Sequence, residues 1–203
     1  MRVLFAILLN VFIINGVFCQ KNVKIKINNN SLEINDSCIY LKKEVYQSTF
    51  KGLKKIIDNE NYFKIKVNKN HINYIFRNEG LGFEYMNRNF IGPPLISIYF
   101  SQDTAWSNLF YKKKYLDIGK YHGKLTILDY NISEITTYFE LKNQDRFKKY
   151  FEEADIDKRT GIKICGEGIT TYIYFESNLF NAKIRRVDVE YFFFYPTPTN
   201  IKR

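Results

Sequence analysis

Histidine, cysteine and proline are scarce in this 203-residue chain, and the first two scarcities remove most metal and nucleophile chemistry. The two histidines, His71 and His122, and the three cysteines, Cys19, Cys38 and Cys165, include no closely spaced pair, so the ligand spacing of a zinc site is missing. A Cys38 and His71 nucleophile pair finds no support in the spacing either. His71, in Lys69-Asn70-His71-Ile72-Asn73, reads as a residue entering a strand, and His122 beside Gly123 as loop punctuation. Asp155 and Asp157, close to Glu152 and Glu153, lack the glycine and the closing glutamate of a calcium loop and read as a solvated acidic helix end. There is no Gly-x-Ser-x-Gly elbow and no phosphate loop, and Gly166-Glu167-Gly168 lacks the third glycine of a dinucleotide fingerprint, so it reads as a turn. The expectation is a protein with no metal, no cofactor and no catalytic residues. A hydrolase that gathers carboxylates from distant segments stays open as a third reading.

Acidic residues are also in deficit: 21 Asp and Glu face 31 Lys and Arg, a net charge of +10. A basic surface favours anionic partners such as acidic proteins, polyanionic glycans or membrane faces. Lys, Asn, Ile, Tyr and Phe are heavily used together, as A+T-rich codons produce, so part of the excess is compositional. No nucleic-acid reading module is recognisable. The hydrophobic share of 45% rules out a disordered chain, because enough apolar surface is available to build a core.

Long apolar runs are missing except at the start. Met1 and Arg2 supply positive charge, and Val3 to Ile14 form an apolar run of about twelve residues, short of the roughly twenty that span a bilayer. Val17 and Cys19 fit the small-residue positions of a signal peptidase site, so residues 1–19 are expected to be a signal peptide, with Gln20 first in the mature chain. Lipid anchoring at Cys19 is the alternative, opposed by Phe18 and Gly16. The protein is then periplasmic or secreted. An oxidising compartment permits a Cys38–Cys165 bridge, and two separate buried thiols are the other reading. Asn29-Asn30-Ser31, Asn35-Asp36-Ser37 and Asn131-Ile132-Ser133 match glycosylation acceptors, read as accidental in a chain so rich in asparagine.

What the mature chain does have is internal likeness. Leu32-Glu33-Ile34-Asn35-Asp36 resembles Leu125-Thr126-Ile127-Leu128-Asp129, with Ile39 and Ile132 following at the same offset. Thr49 to Ile57 and Asp145 to Phe151 both carry helical spacing. Leu81-Gly82-Phe83-Glu84-Tyr85 pairs with Tyr172-Ile173-Tyr174-Phe175-Glu176, and Ile96-Ser97-Ile98-Tyr99-Phe100 with Val187-Asp188-Val189-Glu190-Tyr191. In this last pair the alternation predicts one buried and one wet face. Glycines 80, 82, 92, 161, 166 and 168 punctuate turns. The expected fold is α+β: two tandem repeats, each a helix packed on an antiparallel sheet of about four to five strands. Residues 20–100 form the first repeat, 101–121 a linker, 122–195 the second repeat and 196–203 a tail.

The Leu81-Gly82-Phe83-Glu84-Tyr85 and Ile96-Ser97-Ile98-Tyr99-Phe100 blocks, a lysine-rich connector, and His122-Gly123-Lys124-Leu125-Thr126-Ile127 together resemble a family of exported bacterial proteins of unknown function, sometimes near toxin and immunity loci. The tandem helix and strand arrangement is also similar, more loosely, to small outer-membrane assembly lipoproteins and to β-lactamase inhibitor proteins. The resemblance implies export and a repeated α+β fold, and it carries over no functional residue.

Contact chemistry concentrates in Trp106-Ser107-Asn108-Leu109-Phe110-Tyr111-Lys112-Lys113-Lys114-Tyr115, where aromatic anchors adjoin cations. Trp106, Phe110, Tyr111, Lys112, Lys113 and Lys114 are the expected partner-binding residues; alternatively Trp106, Leu109 and Phe110 cover the seam between the halves. Tyr191 to Tyr195 is apolar on both faces and reads as a buried strand. The functional expectation is an exported, non-catalytic binding protein, of inhibitor or immunity type, that engages a protein or other anionic macromolecule outside the cytosol. Nucleic acid is not expected, and peripheral membrane contact is open. A structural or assembly factor of the cell envelope is the alternative.

Overall fold

The computed structural model describes residues 23–38, 62–68, 71–86, 95–101, 119–152, 161–177 and 179–191. The expected signal segment, the helical-period stretch at 49–57, the 106–115 segment, the acidic run at 153–157, residues 192–195 and the tail lie outside them. The described residues form β1 (Lys24–Ile27), β2 (Leu32–Ile34), β3 (Ser37–Cys38), β4 (Phe63–Asn68), β5 (His71–Phe76), β6 (Leu81–Met86), β7 (Leu95–Tyr99), β8 (Lys124–Ile127), β9 (Tyr130–Ile132), α1 (Tyr138–Lys142), α2 (Asp145–Glu152), β10 (Gly161–Cys165), β11 (Ile169–Phe175) and β12 (Ile184–Tyr191).

These strands make two sheets, ordered β3-β2-β1-β8-β9 and β10-β11-β12-β7-β6-β5-β4. The expectation of two separate helix-on-sheet repeats is therefore wrong: the fold is mainly β, and each half of the chain supplies strands to both sheets. β1 of the first half runs parallel to β8 of the second, with Ile25 opposite Leu125 and Ile27 opposite Ile127. β7 pairs antiparallel with β12, with Ser97 opposite Asp188. The physical reason is twofold. Strand edges left open at β1 and β7 would expose backbone hydrogen-bonding groups and apolar side chains, and joining the halves removes them. The two helices among the described residues, of 5 and 8 residues and both in the second half, are also too small to cover a sheet each.

Alternation assigns the faces of the smaller sheet. Ile25, Ile27, Leu32, Ile34, Leu125, Ile127 and Ile132 are all buried and belong to one continuous core. Its other face carries Lys24 and Lys26, whose ion pairs with Asp36 (3.9 Å) and Asp129 (3.2 Å) are exposed and contribute roughly 0–1 kcal/mol each. The larger sheet adds Phe76, Leu81, Phe83, Ile96, Ile98, Phe100, Ile162, Ile164, Ile173, Phe175, Val187 and Val189 to the same core. Each such side chain stabilises the fold by roughly 1.5–3 kcal/mol before the loss of chain entropy is counted.

The likeness between the halves has a counterpart in strand placement. Ile25 faces Ile34 on one side and Leu125 on the other, while Ile27 faces Leu32 and Ile127. A half-turn about Lys26 thus exchanges Leu32 with Leu125 and Ile34 with Ile127. Both segments then enter the same tight turn, with left-handed φ at Asn35 and Asp36 (49° and 62°) and at Leu128 and Asp129 (49° and 60°). That is the backbone of a type I′ hairpin. In the larger sheet the corresponding axis passes between Ser97 and Asp188. There the sequence alignment needs a shift: Gly82, not Leu81, is the counterpart of Tyr172, since they lie opposite Ser97 and Asp188 respectively. A one-residue slip reverses the facing of every side chain.

The α1–α2 pair seals one end of the core. Thr137 caps α1: Glu140 N donates to its hydroxyl (3.2 Å), and Thr137 N donates to Glu140 Oε2 (2.7 Å), so both ends of a capping box are made. Leu141, Phe147, Tyr150 and Phe151 are buried, and Tyr138 meets Phe151 and Phe175 edge to face at 5.0 and 5.2 Å. Arg146 Nη1 donates to the Leu128 carbonyl (2.8 Å), fixing α2 on the β8–β9 hairpin. On the other side of the core, the buried Tyr121 hydroxyl donates to the carbonyls of Val23 (2.6 Å) and Lys124 (3.0 Å), tying the start of β1 to the start of β8. Burial pushes its phenol well above the ordinary tyrosine range.

Candidate functional site

The core-facing side of β10, β11 and β12 is apolar except for Thr171, and strand alternation places a different set of residues on the outer side. Following the pairings across the strands gives three rows: Lys163, Tyr172, Asp188, then Ser97 on β7; Gly161, Tyr174, Arg186, then Tyr99; and Cys165, Thr170, Glu190. Two tyrosines, two cations and two carboxylates thus share one patch of sheet.

Their geometry follows from the two-residue period. Tyr172 and Tyr174 project from the same strand face with ring centroids 6.3 Å apart and planes 16° from parallel. Each ring has a cation from a neighbouring strand: Lys163 Nζ lies 5.8 Å from the Tyr172 centroid, and Arg186 Cζ 4.7 Å from that of Tyr174. Such contacts contribute about 0.5–2 kcal/mol, more where water is excluded. Arg186 Nη2 also pairs with Asp188 Oδ2 at 3.0 Å. Asp188 is buried, so the guanidinium offsets the cost of holding a carboxylate away from water. The patch is half-exposed at the tyrosines and open at Lys163 and Cys165.

The same neighbours tune the phenols. Burial, and after it the Glu190 carboxylate acting as a nearby charge and a hydrogen-bond acceptor, push Tyr172 up to about 12. Burial and the Asp188 charge raise Tyr174, while Arg186 pulls it back. A phenol whose ionisation is raised by folding contributes stability that is complete below the unfolded value near 10 and is lost as pH rises toward the folded value. Unfolding midpoints should therefore fall as pH goes from about 10 to about 12. Tyr172→Phe should make that fall shallower, and ultraviolet difference titration should show one fewer late-ionising phenol. A titration identical to that of the native chain removes the proposed environment of Tyr172.

Farther along this sheet face, Asn73, Gly82, Glu84, Ser97 and Tyr99 line a shallow depression with no point wide enough for a water. Asn73 is only 1% exposed, and neither Oδ1 nor Nδ2 has a hydrogen-bond partner. Ser97 and Tyr99, expected on the wet side of β7, are buried as well, at 3% and 1%. Both faces of the central strand are thus interior, and the depression is packed sheet with no room for a ligand.

The expected partner residues Trp106, Phe110, Tyr111, Lys112, Lys113 and Lys114 lie outside the described residues. His122 is exposed. Cys165 is a free, exposed thiol, which corrects the expectation of a bridge or a buried thiol at that position. Gly166-Glu167-Gly168 closes the β10–β11 hairpin, as a turn should, with Gly166 N donating to the Ile169 carbonyl (2.8 Å). Gly82, expected in a turn, sits inside β6, where an added Cβ would be 3.3 Å from the Tyr99 ring. Among the described residues no three His, Cys, Asp or Glu side chains are grouped to hold a metal ion, and no helix is long and apolar enough to cross a membrane.

Sequence reasoning saw Tyr172 and Tyr174 only as part of a repeated block. Their i, i+2 spacing was visible, but the cations arrive from strands whose pairing the sequence does not display. Compared with known proteins, the chain matches no protein-family model, no curated protein and no solved structure.

Proposed function

We propose that the chain is an exported, non-catalytic binding protein whose interface is the outer face of β10, β11 and β12. The observation that carries this reading is the pair of stacked tyrosines, each with a cation at its ring, on a face left partly open. Tyrosine and arginine are the residues that supply most interface energy, because they bring large rigid area and directional hydrogen bonds at small entropic cost. With both carboxylates present the patch is close to neutral, so the net +10 of the whole chain supplies steering of an acidic partner, and the tyrosines supply the contact. The inhibitor or immunity form of this reading draws on the sequence resemblance alone.

The test is affinity capture of extracellular or envelope proteins on the immobilised chain. The native protein should retain a defined partner, and Tyr172→Ala with Tyr174→Ala should reduce retention by about tenfold or more, as loss of central aromatic anchors does. Trp106→Ala with Phe110→Ala, run in parallel, reports whether the 106–115 segment shares the interface. Equal retention of every protein by the native chain and both double variants removes the reading.

The second reading, a structural or assembly factor of the cell envelope, is favoured by a different observation. Large apolar side chains stand exposed at Ile135, Phe139, Leu179 and Phe180, in the turn before α1, in α1 and in the connection from β11 to β12.

A further inference from the structure

One corner of the molecule keeps four large apolar side chains in water: Ile135 is 67% exposed, Phe139 54%, Leu179 62% and Phe180 64%. They come from the turn before α1, the first turn of α1, and the connection from β11 to β12. Backbone hydrogen bonds hold these segments together. Tyr138 N donates to the Ala182 carbonyl (2.9 Å), Phe139 N to that of Phe180 (3.0 Å), and Ile184 N to that of Thr136 (3.1 Å). The Phe139 and Phe180 rings meet edge to face at 6.3 Å. The corner is therefore built, with its apolar tips fixed in place by the surrounding backbone.

Charge lies at the rim. Lys142 Nζ sits over two of the rings, 5.7 Å from the Phe180 centroid and 6.0 Å from that of Tyr138. Lys183 is exposed beside the Thr137 bridge. Glu134, Glu140 and Glu176 are exposed nearby and carry negative charge, Glu140 while accepting from the Thr137 amide at the start of α1, so the preference for anionic surfaces comes from the two lysines together with the charge of the whole chain. From Gln20 onward the chain carries 30 Lys and Arg against 21 Asp and Glu, an excess of nine positive charges.

A second copy is a poor occupant, because two such molecules repel. Isolated apolar tips on turns also differ from the central desolvated pocket that a protein partner's anchor fills. Tips of this kind with lysines at ring level match a lipid interface, where side chains enter the boundary between headgroups and acyl chains and ammonium groups meet anionic headgroups. We infer that this corner rests on an anionic bilayer, with Phe139, Leu179 and Phe180 entering the headgroup boundary and Lys142 and Lys183 facing lipid phosphate. The inference stands independently of the tyrosine face.

Flotation with lipid vesicles tests it, using the chain from Gln20 onward, the form expected after processing, and comparing phosphatidylglycerol–phosphatidylcholine vesicles with phosphatidylcholine alone. The native chain should float with the anionic vesicles and much less with the neutral ones. Phe139→Ser with Phe180→Ser should lower that partitioning by about tenfold or more, while the thermal midpoint falls by only a few degrees, since each ring is more than half exposed. Lys142→Glu with Lys183→Glu should erase the preference for phosphatidylglycerol. No flotation of the native chain, or equal flotation of the phenylalanine double variant, overturns the inference. So does self-association of the native chain in sedimentation that the same variant abolishes, which would make the corner an interface between copies.

Discussion

Residues 20–100 and 122–195, produced as separate chains, should each fail to unfold cooperatively, whereas the intact chain should show one sharp transition. The reason lies in what each fragment leaves unpaired. Without the second half, β1 loses β8 along Ile25 and Ile27, and β7 loses β12 along Ile96 and Ile98. The second half alone exposes Leu125, Ile127, Val187 and Val189 in the same way. At roughly 1.5–3 kcal/mol for each buried aliphatic side chain, four such losses remove about 6–12 kcal/mol, against a net stability of about 5–15 kcal/mol for a typical domain. Either fragment is left near or below zero, with an open apolar edge that favours aggregation. Far-ultraviolet circular dichroism during heating and binding of a hydrophobic dye distinguish the outcomes. A fragment that melts sharply on its own, with no dye binding before the transition, would show that the halves are independent domains. Mixing the two fragments should restore a cooperative transition, because the missing partner strands are then supplied, but at a lower midpoint than the intact chain, since Tyr121, which ties Val23 to Lys124, is in neither fragment.

Much of the strand inventory was legible from the sequence, and the way the strands assemble was not. Ile96, Ile98, Phe100, Val187 and Val189 alternate as core residues should, and all are buried. The helical spacing at Phe147, Tyr150 and Phe151 marks α2, and all three side chains face the core. These signals are local, set by the periods of strand and helix. The parallel pairing of β1 with β8 joins residues about a hundred positions apart and leaves no local trace, so two half-sheets in sequence looked like two domains. Asp188 and Ser97 show the same limit: their polarity predicted a wet face, yet they are buried opposite one another where the halves join. The two candidate surfaces divide similarly. Leu179-Phe180 between Asn178 and Asn181 is an apolar pair set among turn residues, a signal present in the sequence and not used. Lys163 and Arg186 at the Tyr172 and Tyr174 rings could be found only once the order of β10, β11 and β12 was known.

Gly80→Ala should destabilise the protein by about 3–5 kcal/mol, in the range reserved for a steric clash within the core or a backbone held in a special conformation. Gly80 has φ of 62°, a left-handed conformation that costs an alanine roughly 1–2 kcal/mol. The larger part comes from crowding, because an added Cβ would lie 2.3 Å from Tyr121 N and 2.5 Å from the Lys120 carbonyl carbon. Those backbone atoms cannot swing aside as a side chain tip would. Tyr121 N donates to the Tyr99 carbonyl (2.6 Å), and the Tyr121 hydroxyl holds the start of β1 through the Val23 carbonyl. Pushing residues 119–121 outward therefore disturbs the larger sheet at Tyr99 and the smaller sheet at Val23 together. Gly80→Asn separates the two contributions: asparagine tolerates the left-handed region but keeps the Cβ. Chemical denaturation should show Gly80→Asn losing nearly as much stability as Gly80→Ala. If Asn restores most of what Ala loses, backbone strain rather than crowding governs the position, and the close passage of residues 119–121 over the β5–β6 turn is not as tight as described.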